Sequence, residues 1–249
     1  LKLLYHERMD YMKSLSVSDA FSFAWDKFHK HTGISVGFTI AYFLIGYAIQ
    51  VTPRVVDAIV ANSSPLVYSI ILIIVSLGVW LLGMAMQLGL YRFGLRFCDD
   101  EKPEIDDLFK EWRSLLYYIL ANLFLVVVVL LSFIPIVWLN GFFTGFVSGD
   151  INPIWIIIYV VVGFLLALRI QFFPYLIIDK GLGSIKSLKA SIKITSGATP
   201  KLLLFIIVLV LINFLGALAL LIGLLITIPV TYIALAYVYR SLLAQTELP

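Results

Sequence analysis

The chain has 249 residues, 61% of them hydrophobic and only 13% charged, with a formal net charge of +3 and a single cysteine. Soluble domains carry roughly 25% charged residues, so an ordinary water-soluble globule is excluded. Basic residues spread over loops beside acidic ones exclude a nucleic-acid partner, and one cysteine, Cys98, excludes an internal disulfide.

The first thirty residues are mixed in charge and amphipathic, without the apolar core of a signal peptide, so no cleavable leader is expected. Val17, Ala20, Phe21, Ala24, Trp25 and Phe28 fall on one helical stripe, with Asp19, Ser22, Asp26, Lys27 and Lys30 on the other side. Ser16 is placed to cap that helix. Positions 31–53, 58–91, 114–149, 151–168 and 202–239 then contain no Asp, Glu, Lys or Arg. A spanning helix needs about 20 apolar residues, so the longest of these runs exceed one span each. The 202–239 run is expected to divide near Gly216–Gly223. Six spans follow, near 34–52, 66–91, 115–138, 153–178, 201–219 and 224–243.

Two further amphipathic helices are expected between spans. One carries Ile105, Leu108, Phe109, Trp112 and Leu116, with Pro103 in its first turn. The other carries Ile185, Leu188 and Ile192 against Lys186, Lys189 and Lys193, with Ser184 as cap and Gly197 as stop. These helices are expected either to lie flat on the inner leaflet or to fold under the bundle. All basic residues except Arg54 fall in segments on one side of the six spans, which predicts cytoplasmic N and C termini and the cytoplasmic membrane as location. The fold class is therefore all-α: a polytopic bundle of six spans within one integral membrane domain, 1–249. It is read as three repeats of an amphipathic helix plus a hairpin, near 16–91, 103–178 and 184–243.

Polar residues inside spans are costly and so are the first candidates for function. Arg169 lies about 15 Å up a helix from Asp179, close to Gln171 and to the interruption at Pro174. It reads as a cation facing an anionic headgroup or solute, or more simply as an anchor snorkelling to the inner headgroups. Gln87, Asn122 and Asn213 are lone amides suited to bonding a neighbouring helix, and Pro135 and Pro229 can kink their spans. Gly33/Gly37, Ala85/Gly89 and Gly141/Gly145/Gly149 have the four-residue spacing of close helix contacts; the last set lies in the outward loop 139–152. Asp99, Asp100, Glu101, Asp106 and Asp107 read as a solvated acidic face. The three histidines all precede span 1, and no nucleophile, metal or phosphate motif is present, so no enzyme activity, cofactor or metal is expected.

Pro174–Asp179, Ser184–Ser191 through Thr195–Gly197, Ile222–Pro229 and Ala236–Arg240 carry a resemblance, supported in mid-chain by Asp100–Phe109. Together they resemble a group of bacterial and archaeal membrane proteins. It includes YciC-like proteins, the DUF975 family and the membrane domain attached to some glycerophosphodiester phosphodiesterases. The resemblance implies a six-span helical domain without an assigned activity, and no catalytic residue carries over. The expectation is a non-enzymatic membrane protein working through the bilayer, anionic lipids, a protein partner or a second copy. Lys186, Lys189 and Lys193 form its lipid-facing surface. The alternative is a transporter or channel using Arg169 and Gln171.

Overall fold

The structure is a computed structural model describing residues 16–108, 111–144, 153–219 and 222–246. In chain order it contains α1 (Val17–Lys30), α2 (Thr32–Val60), α3 (Pro65–Cys98), a 3-10 turn (Ile105–Leu108), α4 (Trp112–Thr144) and α5 (Pro153–Ile170). Then come α6 (Phe173–Lys180), α7 (Ser184–Ile194), α8 (Thr199–Leu218) and α9 (Leu224–Ala244). Among the described residues, six stretches are long and apolar enough to cross a membrane: α2, α3, α4 as far as Pro135, α5 with α6, α8 and α9. Each expected span overlies one of these, although α2, α3 and α4 run beyond the expected limits.

The packed core lies at one end of the bundle. Phe93 and Phe97 of α3, Tyr175 and Leu176 of α6, Leu202 and Phe205 of α8 and Ile233 and Tyr239 of α9 are all buried there. Towards the other end the helices expose Leu66, Ile73, Leu130, Ile157 and Phe214. Water would not tolerate so much continuous apolar surface, whereas hydrocarbon does.

Ser16 caps α1 by accepting the Asp19 amide at 3.3 Å. The helix does not stand away from the bundle. Ala20, Ala24 and Phe28 are buried, Phe23 meets Tyr237 at 4.8 Å and Phe21 meets Phe205 at 5.5 Å, so most of the apolar stripe packs on α8 and α9, while Trp25 of that stripe is exposed. Lys27 pairs with Asp100 at the end of α3.

The second amphipathic helix is not formed as expected. Pro103 is non-helical, residues 105–108 make only a 3-10 turn, and the helix begins at Trp112 as the start of the span itself; Phe109 lies outside the described residues. The Asp107 carboxylate explains the short turn. It accepts the Glu104 amide at 2.8 Å and is drawn onto Arg96, so it caps locally and ties the loop to α3.

The helix of span 4 does break where Pro174 predicts. Proline has no N–H and its ring clashes with the carbonyl four residues back, so α5 ends at Ile170 and α6 starts at Phe173. The backbone groups freed there are satisfied by α7. Ser191 donates to the Arg169 carbonyl at 2.8 Å and accepts the Phe172 amide at 3.2 Å, and Thr195 donates to the same carbonyl at 3.2 Å. Pro135 and Pro229, by contrast, sit inside unbroken α4 and α9.

Helix α7 differs from expectation in its cap and in its face. Gly183 is the cap residue, and the Ser184 hydroxyl donates to the Tyr117 carbonyl of α4 at 2.8 Å. The buried side is Ser187, Leu188, Ser191, Ile194 and Thr195, while Ile185 and Ile192 are exposed. Small hydroxyl residues face inward because they must reach the backbone of the break. Gly197, with φ 81, ends the turn after α7 as predicted.

Gly33 and Gly37 are not helix contacts, since a methyl group at either would meet nothing within 4 Å. The close approaches are at Gly94 and at the Gly216/Gly223 pair, where the chain divides between α8 and α9. Ala85 is buried, and Gly145 and Gly149 lie outside the described residues.

Candidate functional site

The five residues singled out from sequence do not converge on one point. Arg169 closes α5 and is half-buried; its carbonyl is held by Ser191 and Thr195, and its guanidinium pairs with no carboxylate among the described residues. Gln171 donates to the Leu168 carbonyl at 3.0 Å, satisfying the end of α5. Lys186, Lys189 and Lys193 are all exposed and share the outer face of α7 with Ile185 and Ile192. The buried face of α7 meets Arg169, so the lysines point away from it.

The structure also assembles a largely buried ionic node from residues that the sequence reading had not brought together. Arg240 of α9 is central, its side chain only 9% exposed. Its Nη2 donates to both oxygens of Asp99 at 2.9 Å, and its Nη1 lies 2.9 Å from both oxygens of Asp179. The Tyr239 hydroxyl donates to Asp179 at 2.8 Å, and Lys180 stands 3.5 Å away. Burial raises the Asp99 carboxyl above the usual aspartate range, and Arg240 pulls it back only in part. One residue further, Asp100 takes φ 58, a left-handed turn that sends the two neighbouring carboxylates to different helices.

The acidic cluster is a solvated face only in part: Asp99, Asp100, Glu101 and Asp106 are exposed, but Asp107 is drawn inside. Asp107 is fully buried and Glu111 nearly so; Arg96 reaches Asp107 at 2.8 Å and Glu101 at 3.0 Å, and Arg92 pairs with Glu111. The signal in the sequence was one of scarcity. Where a long apolar chain places an arginine late in its last span, a carboxylate has to meet it, because an unpaired buried charge is too costly.

A third feature is a tyrosine cluster on the inner side of the spans. The Tyr91 ring lies 5.0 Å from Tyr175 and 5.7 Å from Tyr232, and Tyr175 stacks on Tyr239 at 5.2 Å. The Gln87 and Tyr118 side chains face Tyr91, and Asn122 faces Tyr118 while donating to its carbonyl at 2.8 Å. Asn122 thus bonds its own helix rather than a neighbour. Asn213 does bond across, donating to Thr231 of α9 at 2.7 Å.

Six apolar helices packed on a polar, ion-paired base define a multi-pass helical membrane protein. Against known proteins, the chain matches no family model, no curated protein and no solved structure.

Proposed function

We propose that the protein is a non-enzymatic membrane factor that works through anionic lipid at the cytoplasmic leaflet, with α7 as its lipid-contacting element. One observation carries this reading. The outer face of α7 interleaves Lys186, Lys189 and Lys193 with exposed Ile185 and Ile192, while its other face is bonded into the bundle. Cations beside exposed aliphatics are what a helix at the headgroup boundary presents. Transport takes second place because the break at Gln171 is closed by α7 hydroxyls rather than left facing a cavity.

Each juxtamembrane lysine contributes about 1 kcal/mol with anionic lipid, so replacing all three by glutamine is expected to weaken phosphatidylglycerol binding by roughly 100-fold. Native mass spectrometry of the full chain titrated with phosphatidylglycerol or phosphatidylcholine reads this. Equal binding of both lipids, or binding unchanged by the substitutions, would sink the proposal.

The orientation that this reading needs, both termini cytoplasmic, is checked separately. Single cysteines at Ser63 and Gln245, in a chain carrying Cys98→Ser, are expected to react with an impermeant maleimide on whole cells at Ser63 only. Labelling at Gln245 would reverse the topology.

A further inference from the structure

Helices α8 and α9 are long enough to cross a membrane, yet they stand low against their neighbours. Contacts between α3 and α9 fix the heights. A methyl group at Gly94 would overlap the Tyr232 carbonyl oxygen, the Tyr91 ring lies 5.7 Å from that of Tyr232, and Asp99 meets Arg240. The two helices therefore run in the same direction, and Leu224, the first residue of α9, stands about level with residues 83–85 of α3. Helix α8 reaches no higher, because Gly216 abuts Gly223 and Asn213 donates to Thr231 at 2.7 Å.

The neighbours rise far beyond this tip. Helix α3 continues for about 28 Å to Pro65, and α4, whose Ala121 shares a buried cluster with Ala85 and Leu88, continues for about 34 Å to Thr144. Above the tip they expose Leu66, Ile73, Leu77, Leu130 and Ile134; below it lie the pairs Arg92–Glu111, Arg96–Asp107 and Arg240 with Asp99 and Asp179. A hydrocarbon layer is about 30 Å thick, and only one placement suits this ladder. With the tip at its far face, the layer would extend down past Asp99 and enclose those charges, while the apolar upper half of α3 stood in water; both are costly. With its far face instead at Tyr68, whose hydroxyl donates to Asp57 at 2.6 Å, the layer ends at about residue 88, just short of Arg92. Trp138 of α4 then comes level with the far face, as an interfacial aromatic should. The tip lies only about 6 Å inside the near face.

We propose that α8–α9 is a re-entrant hairpin. It enters and leaves through the leaflet on the side of the Arg240 node, so the chain crosses the membrane four times, in α2, α3, α4 and α5. Exposed Leu204, Ile207, Leu211, Phe214 and Leu218 form one stripe along α8. Its upper end enters the hydrocarbon and its lower end runs beside the charged layer, so the hairpin leans on that leaflet and offers the stripe to its acyl chains alone. This contact is apolar and does not depend on the lipid charge that α7 selects.

Ile207 lies midway along α8, which makes it decisive. In a crossing helix it would sit at the bilayer centre, whereas in a re-entrant one it lies among the headgroups. Ile207→Arg is therefore expected to leave the yield of folded protein in the membrane within about twofold of the parent, and Leu77→Arg, at mid-bilayer on α3, to lower it about tenfold or more. Accessibility gives the second measurement. In the full chain carrying Cys98→Ser, cysteines replacing Ser63 and Gln245 are expected to react with an impermeant maleimide from opposite sides, read in whole cells and in inverted vesicles. Ala219→Cys, at the tip, is expected to react from neither side and to react fully in denaturing detergent. Three results overturn the proposal: Ile207→Arg as damaging as Leu77→Arg, Ala219→Cys labelled from the Ser63 side, which means a crossing, or labelled from the Gln245 side, which means that the hairpin does not enter lipid.

Discussion

Arg240→Met is expected to destabilise the protein by about 3–5 kcal/mol, the usual cost of removing one partner from a buried ion pair. The loss arises less from the missing attraction than from what remains. Asp179, with its side chain 13% exposed, would be left facing Tyr239 with no guanidinium to balance its charge. Removing the orphaned charge should therefore restore stability, and Arg240→Met combined with Asp179→Asn is expected to recover a good part of the deficit. Asp99 provides the contrast. Its side chain is 38% exposed, so water can solvate it, and Asp99→Asn should cost no more than about 1 kcal/mol. Equilibrium unfolding in a mild detergent, run on the three variants and the parent, gives the ranking. If Arg240→Met unfolds with the parent, the node does not hold the bundle together.

That node joins the ends of three helices distant in sequence: α3 through Asp99, α6 through Asp179 and α9 through Arg240. Lys27 and Asp100 add α1 to the same corner. The base is thus held by charge pairs that shed little energy to water, while the apolar halves of the helices are left to the lipid. Such a division suits a membrane protein, since lipid tails give no hydrophobic drive for helices to associate and specific contacts must supply it.

The spans were legible in the sequence because their signal is local: a run of apolar residues without charge, bounded by turn residues, fixes a spanning helix almost by length. The break at Pro174 and the stop at Gly197 were legible for the same reason, each following from one residue's backbone chemistry. Pairings between distant segments were not. Nothing near Asp107 in the sequence reveals that Arg92 and Arg96, on the preceding helix, converge on it, so the acidic loop read as solvated. Likewise, the stripe of Ile185, Leu188 and Ile192 on α7 left open whether it meets lipid or the bundle, because periodicity reports which residues share a side but not which side turns inward. The hydroxyls of Ser191 and Thr195 decided that, through a carbonyl twenty-odd residues earlier. The tyrosine cluster gave no sign in the sequence, since a residue type suited to the membrane boundary looks the same when it stacks inside.

Gly94→Ala is expected to be among the most damaging single-methyl changes available in this chain. At Gly94, α3 and α9 cross with almost no separation. A methyl group there would overlap the Tyr232 carbonyl oxygen, lie 2.9 Å from the Tyr232 carbonyl carbon and 3.1 Å from the Ala236 Cβ. The obstacle is mostly backbone, which cannot rotate aside as a side chain can, so the helices must move apart. Overpacking of this kind costs about 1–3 kcal/mol even where neighbours can adjust, and the upper part of that range or beyond applies here. The displacement has a second consequence. Asp99 and Arg240 lie only a turn or so from the crossing, so spreading α3 from α9 would loosen the bidentate contact between them. Ala236→Gly should not rescue Gly94→Ala, because it removes the side-chain contact and leaves the carbonyl in place. Gly83→Ala, in open space eleven residues away on the same helix, is the matched control and should be at least as stable as the parent. The comparison separates a true steric crossing from the general helix-stabilising effect of alanine, which favours both substitutions equally. A Gly94→Ala protein as stable as Gly83→Ala would mean that α3 and α9 do not meet backbone to backbone at this point.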